Sequence, residues 1–200
     1  MRGSELAVVV LASFVLLAGV ACGATAKSKP LAMTARVVRP GEFKGYTPED
    51  PRAFSSPRAY LAGGANMTPA QLTAWIARLT REGFERDVTE FLEGAQGPGT
   101  GLSGVMQLGS DASARAELAA ELRFYEGHLA QTFRVKTIPG AVGYGFSGSG
   151  EGGENVLFAD GPFLYLVGYG WIGNARSPRH SALIDAATKL YMRVHGHPAS

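Results

Sequence analysis

The alternation of apolar positions predicts a β-hairpin at residues 155–172. Two runs rich in β-branched, aromatic and leucine residues flank Asp160-Gly161, a dipeptide favoured in two-residue hairpin turns. With that turn, Phe158 is predicted to lie opposite Phe163 and Leu157 opposite Leu164.

Both faces of this hairpin are apolar, which predicts that it lies at the centre of the fold. The aromatic face carries Val156, Phe158, Phe163, Tyr165, Val167, Tyr169 and Trp171. The leucine face carries Leu157, Leu164, Leu166, Gly168, Gly170 and Ile172. Glycines on the leucine face leave room for another part of the chain to approach the backbone.

Three amphipathic helices are predicted around the hairpin. The first begins at Thr68-Pro69, where a capping threonine precedes proline and Gln71 completes a capping box, and it ends before Gly83. The second begins at Ser110-Asp111 and the third at Ser177-Pro178. All three have apolar residues at helical spacing.

The remaining periodic stretches read as strands. They are residues 102–108, 133–138 and 142–146, together with residues 84–92, whose pattern fits either a strand or a helix and which we assign to a strand. The order is then one helix, two strands, a helix, three or four strands and a last helix. This order predicts an α+β fold with a largely antiparallel sheet and about three helices packed on one face.

Composition limits the classes of function. A chain of 200 residues, 46% of them hydrophobic, can bury one core and favours one domain with extensions. The 19 basic and 17 acidic residues are scattered, which argues against nucleic acid as a partner. The lone cysteine, Cys22, excludes an internal disulfide framework.

The N-terminal residues predict export. Residues 1–26 combine Arg2, a short apolar run and small residues, as an export signal does, and the run is short for a membrane span. Cys22 follows the apolar run and would be lipidated in a lipoprotein leader; cleavage after Ala26 would instead release a secreted protein, and an uncleaved leader would stay as an anchor. Residues 27–30 then form a tether, 31–65 an extended segment that covers the domain, and 66–197 the α+β domain. Either cleavage places the domain outside the cytoplasm.

No motif in the chain indicates catalysis, so we expect no enzymatic activity and no cofactor. Two glycine-rich stretches, 143–148 and 148–153, match the dinucleotide fingerprint by letter but lead into a strand, where no helix N-terminus would meet a phosphate. The histidines His128, His180, His195 and His197 lack ligands at usual spacing, so no metal site is predicted.

The aromatic face of the hairpin is the candidate binding surface. If all three helices cover the leucine face, then Phe163, Tyr165, Tyr169 and Trp171 must be covered by residues 45–61, by a second subunit or by a ligand. Aromatic surfaces of this kind suit apolar ligands, sugars or protein partners.

Several short stretches carry a resemblance to known proteins. At Gly83-Phe84, at residues 138–144 and 156–161 and in the last helix, the chain resembles small exported α+β domains of bacterial lipoproteins that have no assigned function. It resembles, at the level of fold, extracytoplasmic sensor and lipid-binding lipoprotein domains. The resemblance covers roughly residues 31–196. It implies an exported domain and brings no catalytic residues.

Three hypotheses of function follow. The first is a non-enzymatic binding or interaction module at the outer face of the cell membrane, using the aromatic face of the hairpin and tethered through a lipidated Cys22, with a protein or an apolar small molecule as partner. The second is a carrier that holds an apolar or lipid molecule between sheet and helices. The third is a hydrolase whose site folding would assemble from distant segments.

Overall fold

One antiparallel sheet forms the centre of the protein. The structure is a computed structural model that describes residues 30–62, 67–95, 99–125, 131–148, 151–172 and 180–198. Its strands are β1 (Tyr46–Pro48), β2 (Arg52–Phe54), β3 (Arg86–Gly94), β4 (Gly99–Gln107), β5 (Gln131–Arg134), β6 (Val142–Gly148), β7 (Glu151–Asp160) and β8 (Phe163–Ile172). They pair in the order β1-β3-β4-β8-β7-β6-β5, with β2 also on β3, and every pair is antiparallel.

The helices complete an α+β fold, as the sequence predicts. They are a short 3-10 helix (Met33–Arg36), α1 (Pro57–Leu61), α2 (Pro69–Arg81), α3 (Asp111–Tyr125) and α4 (His180–Val194). From α2 onward, the order of helices and strands is the predicted one. The capping box that begins α2 is confirmed, because Thr68 Oγ1 accepts from Gln71 N at 3.3 Å and Gln71 Oε1 accepts from Thr68 N at 2.8 Å.

The N-terminal part of the chain joins the same sheet. The strand predicted at residues 84–92 is confirmed as β3, which begins at Arg86. Strand β3 pairs with β1 near Leu92 and with β2 near Asp87. Residues predicted to extend over the domain therefore supply two strands at its edge and helix α1. Strand β5 is shorter than predicted, because the chain turns after Arg134 and Ile138 N donates to Val135 O.

The central hairpin is confirmed, but its turn is one residue later than predicted. Asp160 pairs with Phe163, so Gly161 and Pro162 form the turn, and Phe158 lies opposite Tyr165. Gly161 has a φ of 58°, and proline holds φ near −65°, which together suit a type II′ turn. Pairing therefore shifts by two residues, which leaves every side chain on its predicted face.

Helices pack on both faces of the sheet, so the prediction that they share one face is wrong in this respect. Helix α4 covers the aromatic face, where Leu183, Leu190 and Val194 are fully buried against Phe158 and Tyr165. Helices α2 and α3 cover the leucine face, where Leu79 and Ala114 join Leu157 and Leu164. Because both faces of the hairpin are apolar, each one needs a cover, and one layer of helices cannot supply both.

Candidate functional site

The aromatic face proposed for binding is buried by the protein's own chain. Phe163, Tyr165 and Tyr169 are at most 4% exposed, and Trp171 is partly buried against the same core. Helix α4 and residues 31–43 provide the cover, where the sequence suggested residues 45–61, a second subunit or a ligand. In this structure the aromatic face is core, and a partner would reach three of its four candidate residues only after that cover moved.

Aromatic stacking and two arginines hold this cover in place. The rings of Phe158 and Tyr165 stack with centroids 4.7 Å apart, and Tyr191 of α4 meets Phe158 edge-on at 5.8 Å. Arg193 of α4 donates to both carboxylate oxygens of Glu42 at 2.9 and 2.8 Å. Burial raises the pKa of Glu42, but the hydrogen bonds and charge of Arg193 outweigh it and leave that pKa below its usual value.

The other arginine, Arg36, is wholly buried and joins the two ends of the described domain. Its guanidinium donates to Tyr165 Oη at 2.7 Å and to the carbonyls of His197 and Pro198 at 2.6 Å each. It also donates from Nε to Leu31 O at 3.2 Å and lies 3.9 Å from the ring centroid of Phe163. Burial raises the pKa of Tyr165 to about 12, so its hydroxyl stays protonated.

The opposite side of the sheet encloses a cavity of about 360 Å³. Its floor is the leucine face, extended across strands β3, β4, β8, β7 and β6. Thr89, Gly104, Leu166 and Leu157 form one row across the sheet, and Asp87, Met106 and Leu164 form the next. The register of the strands thus determines which side chains line the floor.

Helices α1, α2 and α3 form the opposite wall of the cavity. Tyr60 and Leu61 come from α1, Trp75 from α2 and Glu121 from α3. At the edge, β2 contributes Phe54 and the exposed Arg52, so the cavity reaches the protein surface there. The lining is therefore mainly apolar and aromatic, with a small number of polar groups, as is typical of small-molecule sites.

Gly104 keeps the middle of the floor open. A Cβ atom built on Gly104 would lie 3.7 Å from Thr89 Oγ1, 3.9 Å from Val88 O and 4.0 Å from Leu166 Cβ, all ordinary contact distances. A side chain at this position would fit the sheet and occupy the cavity. The absence of one at Gly104 therefore contributes directly to the cavity's volume.

Two carboxyl groups line this apolar cavity. Asp87 is 3% exposed, and Thr89 Oγ1 donates to its Oδ1 at 2.8 Å; burial raises the pKa of Asp87 to about 7 against the opposing effect of that hydrogen bond. Burial, with the negative charge of Glu117 nearby, raises the pKa of Glu121 to about 8. Within the described residues, neither carboxyl has an ion-pair partner.

Glu117, one helical turn before Glu121, is fully buried and fully paired. Arg78 donates to its two oxygens at 2.8 and 2.7 Å, and Trp75 Nε1 donates to Oε1 at 3.0 Å. This bidentate pair fixes α2 against α3 and orients the Trp75 ring that lines the cavity. The charge of Arg78 also lowers the pKa of Glu121, but burial and the charge of Glu117 outweigh this effect.

The residues weighed for metal binding or hydrolysis have structural roles where they are described. His180 Nδ1 lies 2.9 Å from Glu154 Oε2 and His195 Nδ1 lies 2.8 Å from Asp160 Oδ1, so each end of α4 is joined to β7. Among the described residues, no three His, Cys, Asp or Glu side chains are placed to hold a metal ion. His128 and Cys22 lie outside the described residues.

The glycine-rich stretches have no helix to support a phosphate site. Residues 142–148 form β6, and the part of residues 148–153 that is described belongs to strands β6 and β7. The described helices include none that is long and apolar enough to cross a membrane.

Comparison with known proteins identifies a shared fold. No protein family and no curated protein matches the sequence. The structure is similar to the extracellular domain of PknH from Mycobacterium tuberculosis, with a TM-score of 0.54 and 14% sequence identity over 83% of this chain and 97% of that one. At this identity the likeness concerns the fold, and function has to be argued from the site.

The sequence reasoning missed the residues that matter most for the cavity. Asp87, Gly104 and Glu121 were not singled out, because each is unremarkable in its own segment. The available signal was Asp87 alternating with Thr89 and Phe91 on one face of a strand whose other face carries Val88 and Leu92, with Gly104 opposite Thr89. This signal can be recognised only once the pairing of β3 with β4 is known.

Proposed function

We propose that the protein is a non-enzymatic binding domain that holds a small apolar molecule in the cavity between the sheet and helices α1, α2 and α3. The observation that carries this proposal is the cavity of about 360 Å³ with its mainly apolar lining. Its volume falls within the range of roughly 300–1,000 Å³ that is usual for small-molecule sites. This is the carrier hypothesis raised by the sequence, with the ligand assigned to the leucine face of the sheet.

We also propose that the domain acts outside the cytoplasm. The export-like residues 1–26 support this, and the structural neighbour is named as an extracellular domain. If Cys22 is lipidated, the mature chain begins nine residues before Leu31 and stays at the membrane surface. Partition of the exported protein into the detergent phase tests the anchor: Cys22→Ser should move the protein to the aqueous phase. If the wild type and the variant are both found in the aqueous phase, cleavage after Ala26 is favoured; if both stay in the detergent phase, the leader is retained as an anchor.

Filling the cavity tests the binding function. Octanol, an apolar probe with one hydroxyl, should bind the exported protein, as measured by titration calorimetry. Gly104→Leu should weaken that binding at least tenfold, because its Cβ meets the neighbouring atoms at ordinary contact distances and the rest of the side chain would take up cavity volume. The affinity of a folded Gly104→Leu variant equal to that of the wild type would overturn the proposal.

Gly170→Leu is the matched control. Gly170 lies on β8 outside the cavity lining, and a Cβ there would meet Gly152 O at an ordinary 3.5 Å. This variant should bind octanol as the wild type does. If both leucine variants lose binding equally, the loss reflects a general change in the sheet and counts against the cavity.

A further inference from the structure

The charge distribution of the cavity is one-sided. Asp87 and Glu121 place two carboxyl groups in an apolar space, and no described Lys, Arg or His forms an ion pair with either. Glu117 is a buried carboxylate that has a partner within the protein, because Arg78 and Trp75 donate hydrogen bonds to its two oxygens. The two cavity carboxyls lack an equivalent partner.

Arg52, the one cationic side chain among the described residues of the lining, does not form an ion pair with either cavity carboxyl. Arg52 is exposed at the edge, and its guanidinium carbon lies 5.1 Å from the ring centroid of Phe91. It forms no ion pair with Asp87, although Arg52 and Asp87 lie on paired strands. Since none of the described residues supplies a cation for Asp87, we take the ligand as its source.

Two aromatic rings share the cavity lining with Asp87. Phe54 of β2 is the direct pairing partner of Asp87, and Tyr60 of α1 packs edge-on against Phe54 with ring centroids 6.1 Å apart. Both rings line the cavity. A carboxylate flanked by aromatic rings is a favourable setting for an organic ammonium group, because Coulomb attraction and cation–π attraction add there.

We infer that the ligand of the cavity is an apolar molecule that carries one ammonium group, held by Asp87 beside Phe54 and Tyr60, with its apolar part on the row formed by Gly104, Leu157 and Leu166. This inference rests on the proposed binding function and adds the ligand's charge. By their share of liquid volume, roughly a dozen water molecules would fill about 360 Å³, so the apolar part is small.

Three probes with one chain length and different head groups test it. Octylammonium, octanol and octanoate are titrated into the exported protein at about pH 7.5. Octylammonium should bind at least tenfold more tightly than octanol, and octanoate more weakly than octanol. Asp87→Asn should reduce the affinity for octylammonium to that for octanol and leave octanol unchanged. Glu93→Gln, an exposed position further along β3, should alter none of the three.

The outcomes separate this inference from the function on which it rests. If no probe binds, the cavity proposal fails together with the inference. If octanol binds and Gly104→Leu abolishes that binding, but octylammonium shows no advantage, only the inference fails. Stronger binding of octanoate would likewise overturn it and would indicate an anion held by Arg52.

Proton release provides a second measurement should Asp87→Asn fail to fold. Below neutral pH, octylammonium binding should release up to one proton from the cavity, seen as a dependence of the binding heat on the buffer, whereas octanol should release none. The charged or titratable groups that line the cavity with Asp87 are Arg52 on β2, Tyr60 on α1, Tyr144 on β6 and Glu121 on α3. Equal proton release with both probes would contradict the assignment.

Discussion

At the scale of single residues, Arg36 shows how the interior accommodates a charge without a carboxylate. Its described partners are three backbone carbonyls and the Tyr165 hydroxyl, and its guanidinium also lies against Phe163. Arginine suits this place because its five donors are fixed in one plane, whereas lysine offers three on a flexible stem. The positive charge strengthens each of these hydrogen bonds.

Replacing Arg36 should therefore be costly. Arg36→Met keeps much of the apolar volume but leaves Tyr165 and the carbonyls of His197 and Pro198 without their donor, so we expect a loss of roughly 2–5 kcal/mol in the free energy of unfolding. Urea denaturation measures this as a lower midpoint at unchanged slope. Arg39→Met, at an exposed position three residues later, should have little effect, and equal midpoints for the two variants would show that the buried contacts contribute little.

Residues such as Arg36 and Asp87 could not be identified from the sequence for a physical reason. Apart from Leu31, the hydrogen-bond partners of Arg36 lie 129, 161 and 162 residues away along the chain, and only tertiary structure brings them together. Asp87 is buried because β2 and β4 flank its strand and helices cover it. Local periodicity indicates which face a residue occupies, but not whether that face encloses a cavity.

At the scale of elements, the chain's local signals are sufficient to predict the helices and strands from α2 onward, but not β1, β2 and α1. Thr68 and Gln71 cap α2 as predicted, and the hairpin faces are correct although its turn lies at Gly161-Pro162. The sequence is compatible with a turn at Asp160-Gly161 or at Gly161-Pro162. Proline favours the second turn, because there it is not part of the strand. Turn placement therefore depends on one residue, whereas face assignment depends on a whole alternating run.

The position of α4 was less predictable, because its apolar stripe fits either face of an apolar hairpin. Contacts distant in sequence distinguish the two faces. His180 meets Glu154, His195 meets Asp160, and Arg193 meets Glu42. These polar contacts lie at the ends of α4 and fix its direction across β7, which the pattern of apolar residues could not specify.

At the scale of the whole molecule, buried carboxyls make stability depend on pH. Burial raises the pKa of Asp87, Glu82 and Glu90 to about 7 and that of Glu121 to about 8, with Glu117 contributing at Glu82 and Glu121. In the described structure, Oε2 of Glu82 and of Glu90 also lacks a hydrogen-bond partner. In the folded state these groups retain protons that the unfolded chain releases at lower pH.

The free energy of unfolding should therefore fall as the pH rises. The contribution of a group with a raised pKa is complete below its unfolded pKa, near 4, and is lost as the pH passes its folded pKa of about 7 or 8. Glu42 acts in the opposite sense, because its lowered pKa makes its contribution disappear in acid. We expect the melting temperature to be higher at about pH 5 than at about pH 8.

Asp87→Asn should flatten this dependence. A pKa displaced from 3.8 to about 7 corresponds to a penalty of up to roughly 4 kcal/mol at high pH, and the amide removes it. The variant should gain more stability relative to the wild type at about pH 8 than at about pH 5, as differential scanning fluorimetry can measure. Glu93→Gln should leave the pH dependence as it is in the wild type, and a parallel shift in both variants would contradict the assignment to Asp87.

The contact between Arg36 and the carbonyls of His197 and Pro198 also affects the order in which the protein can be made. Residues at the start of the domain must wait for partners about 160 positions later in the chain. At roughly 5–20 residues per second, that interval is on the order of 10–30 s of synthesis. During this time Arg36 lacks its partners at His197 and Pro198, so the contacts that join the two ends of the described domain form only after these late residues have been synthesised.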